Sequence, residues 1–176
     1  MIVLIGEKRN FAIEIGKDEC AYQMSLYIEG KDILQFEIQG KIYPHRWRSL
    51  GDIMEWIQEN LKYILGEDDF PLVTIIGDSA AQLCDNADKW NVDDCEACEL
   101  VNDWMFRHSW FSAREGAFLA DVFFRKVNDS VEISWDNTNT FKSEGVRFIY
   151  PKGRYEVEKN AFKRIMQNVC MVYRTL

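Results

Sequence analysis

The spacing of apolar residues, more than any other feature, constrains how this chain can fold. In residues 22–28 apolar and more polar side chains alternate, which is the period of a half-buried β-strand. In residues 50–65 and 161–173 apolar side chains instead recur every three or four positions, which is the period of a helix with one buried face. Strands and helices come in runs rather than in strict alternation. The pattern predicts an α+β fold, with a mostly antiparallel sheet built from hairpins and packed against two long amphipathic helices.

The predicted strands form two groups, which are separated by the first helix and by an acidic helical segment. The first group comprises residues 10–16, 22–28, 33–38 and 41–43, and a turn at 29–32 joins its second and third strands as a hairpin. The second group comprises residues 118–127, 131–135, 146–150 and 154–157, and its turns predict a four-stranded meander. Between the groups we expect a short strand at 72–76, a helix at 78–87, and a helix from Asp93 to Phe106.

Polar and apolar side chains alternate along the predicted strand 131–135. Val131, Ile133 and Trp135 share one face, which is the apolar one. Glu132 and Ser134 share the other. Because successive side chains of a strand point to opposite faces, the apolar face of this strand is expected to lie on the core.

Length and composition set limits on the class of protein. The chain has 176 residues, the size of one domain, and no low-complexity stretch, so residues 1–176 are expected to form a single domain. The N-terminal apolar run is short and charges follow it, which is unlike a secretory signal. No stretch has the apolar length of a membrane span. Five cysteines, an odd number, indicate free thiols in a reducing compartment. We therefore expect a cytoplasmic protein that does not contact membranes.

The negative charge is concentrated in the middle of the chain. The formal net charge is −8, yet residues 66–103 carry 11 acidic side chains and a single base, Lys89. Residues 104–176 carry 12 basic and 8 acidic side chains. Like charges at this density lower stability, and such a surface is retained more easily when a basic partner neutralises it. A solvated helical face is the alternative, but eleven acids to one base exceed what solubility requires, so the segment predicts an interface for a partner protein with a basic surface.

Cys95 and Cys98 form a Cys-x-x-Cys pair, the pattern nearest to a metal or redox motif. With Cys84 and His108 they would supply four ligands that zinc accepts. The spacing fits no zinc-finger or ribbon pattern, and the surrounding carboxylates would raise the thiol pKa values. Packing of these cysteines as small apolar side chains is the preferred interpretation, and we expect no metal and no cofactor.

An enzyme of unrecognised type is the alternative to a binding protein. His108, Arg114, Asp121 and Asp136 would form its polar site, with His108 as a general base whose ordinary pKa is near neutrality. However, the chain has no nucleophile elbow, no His-Glu-x-x-His motif and no glycine-rich phosphate loop. Because no catalytic signature is complete, we expect a protein without enzymatic activity.

Residues 43–48 (YPHRWR) interleave bases with aromatic rings, a combination that can hold a nucleic-acid strand. The stretch is short, and the net negative charge of the chain would repel phosphates. A loop that leads into the first helix accounts for it better. We therefore expect no nucleic-acid partner.

The strand-rich opening, with residues 11–15 (FAIEI) and 26–31 (LYIEGK), is followed by a helix and a concentrated acidic surface. This order resembles the immunity proteins that are encoded beside bacterial polymorphic or contact-dependent toxins. The resemblance covers about the first seventy residues. It implies a small α+β protein that binds one cognate toxin domain, often a basic nuclease, and blocks its active site. A regulatory subunit of a larger bacterial assembly remains a further alternative.

The partner-binding hypothesis assigns roles to individual residues of the acidic segment. Trp90 lies in an acidic stretch without clear periodicity, and it is the candidate apolar anchor. The carboxylates expected to meet lysine and arginine of the partner are Asp68, Asp69, Asp93, Asp94, Glu96 and Glu99.

Overall fold

The computed structural model describes residues 1–89 and 95–176 and, for Cys95, the backbone alone. Its strands are β1 (Ile2–Gly6), β2 (Phe11–Lys17), β3 (Tyr22–Ile28), β4 (Lys31–Asp32), β5 (Phe36–Ile38), β6 (Lys41–Tyr43), β7 (His45–Trp47), β8 (Phe123–Val127), β9 (Ser130–Asp136), β10 (Val146–Phe148) and β11 (Lys152–Glu158). Its α-helices are α1 (Gly51–Leu65), α2 (Ala80–Lys89), α3 (Cys95–His108) and α4 (Lys159–Tyr173). The predicted α+β class is confirmed.

The strands form three antiparallel sheets rather than one. The first sheet has the order β1-β2-β3-β4, and β7 also pairs with β3. The second has the order β10-β5-β6, and the third has the order β11-β9-β8. Helices α1 and α4, the two predicted amphipathic helices, pack against each other, and α4 also contacts strands of the first and third sheets. The main hydrophobic core thus joins residues from both ends of the chain.

The predicted hairpin between β3 and residues 33–38 is wrong. After the turn only the two residues of β4 pair with β3, and the chain then leaves to form β5 in the second sheet before β7 returns to β3. The carboxylate of Asp32 accepts hydrogen bonds from the backbone N–H groups of Leu26 (3.2 Å) and Leu34 (3.1 Å). Because this side chain binds the N–H groups on both sides of the turn, it redirects the backbone after two paired residues.

The predicted meander also needs correction, because β10 does not pair with β11. It pairs instead with β5, from the N-terminal half of the chain, and Phe148 lies opposite Phe36 in this register. The rings of these two residues are packed edge to face, with centroids 6.1 Å apart. Contacts between distant parts of the sequence therefore override the local signal for a turn at residues 151–153.

Strand β9 is buried on both of its faces. Val131, Ile133 and Trp135 face the main core as predicted. Glu132 and Ser134 on the opposite face are also fully buried, because α2 covers them. The alternation of the sequence therefore identified the two faces but not the helix that lies on the polar one.

The segment around residues 72–76 does not form the predicted strand. It is part of a loop, residues 66–79, in which the N–H of Ile75 donates to the carbonyl of Leu72 (3.1 Å). The helices predicted at residues 78–87 and from Asp93 to Phe106 are present as α2 and α3, and Asp93 and Asp94 themselves lie outside the described residues. None of the helices in the described part of the chain has the length and apolar character needed to cross a lipid bilayer.

Candidate protein-binding surface

The acidic segment forms a layer over the third sheet. Helices α2 and α3 both contact β8, and α2 also contacts β9. A small second core lies between this layer and the sheet, and its buried members are Ala80, Ala81, Cys84, Trp104 and Phe123. The side of the segment that faces away from the sheet carries its charges. The sequence thus folds into a layer with an apolar underside and an acidic outer side.

Buried polar groups of β9 fix the N-terminus of α2. The carboxylate of Glu132 accepts from the N–H of Ala80 (2.7 Å), and the hydroxyl of Ser134 accepts from the N–H of Ala81 (3.1 Å). Two N–H groups that the helix cannot satisfy internally thereby find acceptors. The negative charge of Glu132 also lies at the positive end of the helix dipole.

Two arginines compensate for the burial of Glu132. Arg125 approaches both carboxylate oxygens at 3.0 Å, and Nε of Arg154 lies 2.8 Å from Oε2. Burial by itself would raise the pKa of Glu132, but the hydrogen bonds from Arg125, from the N–H of Ala80 and from Arg154 outweigh it and lower the pKa. The carboxylate is therefore held in its charged form.

Loop 66–79 runs along α3 and then crosses to α2. Near its start Asp68 contacts the last turn of α3, and further on Phe70 packs edge to face on Trp104, with ring centroids 5.1 Å apart. Near its end the carbonyl of Ile76 accepts from the side-chain amide of Asn86 on α2 (2.7 Å). Contacts at both ends thus hold the loop on the outer side of the layer.

Asp68, a predicted partner-binding residue, forms its ion pairs within the chain. Its carboxylate accepts from Nε of Arg107 (2.8 Å) and lies 2.9 Å from Nε2 of His108. Partial burial would raise the pKa of Asp68, but the hydrogen bonds from Arg107 and His108 outweigh it and lower the pKa. Asp68 therefore joins the loop to α3, and its charge is already compensated.

His108 is buried and both of its ring nitrogens are engaged. Nδ1 lies 2.6 Å from the carbonyl of Phe124, Nε2 contacts Asp68, and the ring stacks on Trp104 at 4.1 Å between centroids. Burial lowers the pKa of His108, although Phe124 and Asp68 act in the opposite direction. A ring that is buried and bonded on both sides cannot reach a substrate, so His108 serves the packing of α3.

The other described carboxylates of the segment are exposed to solvent. The exposed ones are Glu67, Asp69, Asp78, Asp85, Asp88, Glu96, Glu99 and Asp103. Glu67 pairs with Lys126, and Asp85 pairs with Lys89. Asp69, Asp78, Glu99 and Asp103 form no ion pair within the described part of the chain. The predicted residues Asp69, Glu96 and Glu99 thus lie on the surface, whereas Trp90, Asp93 and Asp94 lie outside the described residues.

Two apolar side chains project into solvent from loop 66–79, which also carries exposed carboxylates. Val73 is 93% exposed and Ile76 is 83% exposed. On α3, Leu100 and Phe106 are about half exposed. Sequence reasoning missed Val73 and Ile76 because a run of apolar β-branched residues predicts a buried strand. The apolar run at residues 72–76 lies between Pro71 and Gly77 inside the acidic segment, and this position was the available signal for an exposed loop.

The polar site of the enzyme alternative is not assembled. His108 contacts Asp68, whereas Arg114 contacts Asp121, with 2.5 Å between Nη2 and Oδ1. Asp136 pairs with Lys152 at 2.9 Å. Asp121 and Asp136 lie along one polar cleft, but His108 is buried against Asp68 and does not line that cleft. The structure therefore does not bring His108 together with the other proposed catalytic residues.

A polar cleft of about 570 Å³ lies between α2 and residues 136–140. The carboxylates along it are Asp85, Asp88, Asp121 and Asp136. Burial raises the pKa of Asp121 despite its arginine partner, and burial and the charge of Asp85 raise that of Asp88. Lysines pair with Asp85 and Asp136, so the cleft combines charges of both signs.

The potential metal ligands do not form a cluster in the described residues. Within this part of the chain, no three side chains of His, Cys, Asp and Glu are grouped so that they could hold a metal ion. Cys84 is buried in the second core, and this burial raises the pKa of its thiol. Cys98 is exposed on α3, and the side chain of Cys95 lies outside the described residues. Packing explains Cys84 without a metal.

The geometry of the layer is therefore that of a surface rather than of an enclosed site. Its exposed elements are carboxylates and a projecting apolar loop, and its buried polar groups bind one another. In comparisons with other proteins, no family model, no curated protein and no solved structure matches this chain.

Proposed function

We propose that this protein binds one basic protein partner stoichiometrically and neutralises it, as the immunity proteins of bacterial toxin systems do. The binding surface consists of the exposed sides of loop 66–79, α2 and α3. One observation carries the proposal: Val73 and Ile76 project almost fully into solvent, and the unpaired carboxylates of Asp69 and Asp78 lie in the same loop. The partner is a toxin domain in the same cytoplasm, and no cofactor takes part.

The combination of apolar and acidic groups is what a basic partner would recognise. Binding energy in protein interfaces is concentrated in a few apolar anchors, around which a polar rim excludes water. Val73 and Ile76 are the anchors on the described surface, and Trp90, which lies outside the described residues, stays a predicted anchor. The rim includes Asp69, Glu99 and Asp103, whose negative charges are exposed and would attract lysine and arginine side chains of the partner.

Asp68 does not belong to this rim. Its carboxylate already binds Arg107 and His108, so a partner would have to displace those contacts before it could use the charge. Removal of one partner from such a cluster leaves charged groups unpaired, which is costly. Asp68 instead contributes indirectly, because it holds the loop that carries the anchors.

Charge reversal on this surface tests the proposal. The ligand is the purified C-terminal domain of the protein encoded by the adjacent reading frame. A variant with Asp69→Lys, Glu99→Lys and Asp103→Lys is expected to associate about tenfold more slowly or worse at low ionic strength. Association and dissociation rates are measured by surface plasmon resonance over a range of salt concentrations.

A control variant with the same change of net charge shows whether the association rate depends on this surface or only on the total charge of the protein. Glu19, Glu55 and Glu59 are exposed and lie outside the acidic segment, and their replacement by lysine should slow association by about threefold at most. Replacement of Val73 and Ile76 by serine should mainly accelerate dissociation. Equal effects of the two charge-reversal variants would disprove this interface.

A further inference from the structure

Strand β1 is an edge strand that offers unpaired backbone groups and apolar side chains to solvent. It pairs with β2 on one side, and no described residue pairs with its other side. Ile2 is 67% exposed and Leu4 is 44% exposed. An uncharged, apolar edge of this kind is a template for pairing with another strand, and proteins usually protect such edges with charges.

The hydrogen-bonding pattern shows which groups are free. Met1 and Lys17 exchange both of their backbone hydrogen bonds, and the N–H of Glu7 donates to the carbonyl of Phe11. Bonded pairs alternate along an antiparallel ladder, so Val3 also bonds to β2 whereas Ile2 and Leu4 direct their N–H and carbonyl groups away from it. The residues with free backbone groups are thus also those with exposed apolar side chains.

We propose that β1 pairs with β1 of a second copy of this chain, which makes a continuous sheet across a symmetric dimer. In the antiparallel register that places Leu4 opposite Leu4 of the second copy, the outward backbone groups of both strands meet. Ile2 then lies opposite Gly6, which has no side chain to obstruct it. The side chains of Ile2 and Leu4 from both copies form one apolar stripe on the outer face of the sheet.

The charges around β1 favour a second copy rather than a charged partner. The ionic side chains that flank it are those of Glu7, Lys8, Arg9, Glu14 and Lys17, and their net charge is +1 in a chain whose side-chain total is −8. The Met1 ammonium adds one further positive charge. Glu14 is already paired with Lys8 at 2.7 Å. In the register described above, the charged turns of the two copies lie at opposite ends of the ribbon. In this register the Met1 ammonium of each copy also lies opposite Glu7 of the other, so both ends of the contact bring opposite charges together.

The acidic layer also lies away from this edge. Strand β1 packs on β2 and α4, whereas α2 and α3 pack on β8 and β9. A dimer formed through β1 leaves both acidic surfaces accessible. This inference is independent of the proposed partner, because the two surfaces share no residue. Since two short strands bury less than a standard interface, we expect a dissociation constant in the micromolar range.

Sedimentation equilibrium of the full chain over about a hundredfold range of concentration tests the proposal. The wild-type chain should change from monomer to dimer within that range. Leu4→Lys places a charge in the centre of the stripe and should raise the dissociation constant at least tenfold. The matched control is Ile42→Lys, because Ile42 is 60% exposed on another strand, β6, and its replacement should leave the dimer intact.

Hydrogen exchange shows whether the backbone edge is the contact. As the dimer forms, the N–H groups of Ile2 and Leu4 should exchange at least tenfold more slowly, and Leu4→Lys should abolish this protection. Near-UV circular dichroism establishes that both variants are folded. A chain that stays monomeric at every concentration, a dimer that survives Leu4→Lys, or a dimer without protection of Leu4 would each overturn the proposal.

Discussion

The two faces of the third sheet are held by different kinds of interaction. On one face Ile133 and its cross-strand neighbour Phe124 belong to the main core, and the ring of Phe124 packs against those of Trp110 and Phe162 at 5.2 and 5.6 Å between centroids. On the other face Glu132 and Ser134 bind the N-terminus of α2 through hydrogen bonds. The apolar face is stabilised by close packing and by the area of apolar surface that it buries. The polar face is stabilised by charged hydrogen bonds, which require a defined direction between donor and acceptor.

Replacement of Phe124 by alanine should give the largest loss of stability. The side chain is fully buried, and its removal leaves a cavity among large rings. We expect the free energy of unfolding to fall by about 3–5 kcal/mol. Urea denaturation followed by tryptophan fluorescence measures it. A loss below about 1 kcal/mol would mean that the apolar face collapses around the vacancy and is less tightly packed than the structure indicates.

Glu132→Gln tests the polar face with almost no change in shape. It leaves Arg125 and Arg154 without their shared carboxylate and weakens the bond to the N–H of Ala80. Both arginines are partly exposed, so water replaces some of the lost hydrogen bonds. We therefore expect the free energy of unfolding to fall by about 2–3 kcal/mol. Glu156→Gln is the matched control, since Glu156 is the exposed partner of Arg154, and should cost less than about 1 kcal/mol.

At acid pH the difference in stability between wild type and Glu132→Gln should disappear. The pKa of Glu132 is lowered in the folded state. Its contribution to the free energy of unfolding is therefore complete above the ordinary glutamate pKa of 4.5 and is lost as the pH falls through the lower folded value. The apolar face carries no such group, so Phe124→Ala should remain destabilised relative to wild type throughout. Urea denaturation between pH 7 and the acid limit of folding measures both differences. A Glu132→Gln difference that does not shrink would contradict a charged carboxylate at this position.

Ser134→Ala should cause the smallest loss of stability among these variants of the third sheet. It removes the acceptor for the N–H of Ala81 and leaves the rest of the face unchanged. The loss of a helix-terminal hydrogen bond costs about 1 kcal/mol. Hydrogen exchange should show faster exchange in the first turn of α2 and unchanged protection in β2. Equal acceleration in both elements would show that α2 opens only with the whole molecule.

The sequence predicted the parts of the fold that depend on local periodicity. Helices α1 and α4 and the hairpin of β8 and β9 were found because each carries its own apolar pattern and its own turn or end signals. The pairing of β10 with β5 was missed, because that register joins residues 36–38 with residues 146–148 and no local pattern specifies it. The turn at residues 29–32 was predicted, but the departure of the chain from β3 after Asp32 was missed, because the side chain of Asp32 binds backbone groups and leaves no trace in hydrophobicity.

The candidate surface could be predicted only in outline. Composition located the acidic segment, but which carboxylates are free depends on tertiary contacts. Asp68 and Asp69 are neighbours in the sequence, yet Asp68 binds Arg107 and His108 whereas Asp69 is exposed. The exposed loop around Val73 was read as a strand, because composition does not say whether an apolar run is buried.

The bonds between β9 and the first turn of α2 also bear on how a complex would form. Hydrogen bonds to a helix end fix both its position and its axial rotation, so the carboxylates of α2 keep one arrangement before any partner arrives. A partner would therefore meet a preorganised surface, and little conformational entropy would be lost on binding. Under these conditions the rate of complex formation is set by diffusion and electrostatic steering rather than by rearrangement of this protein.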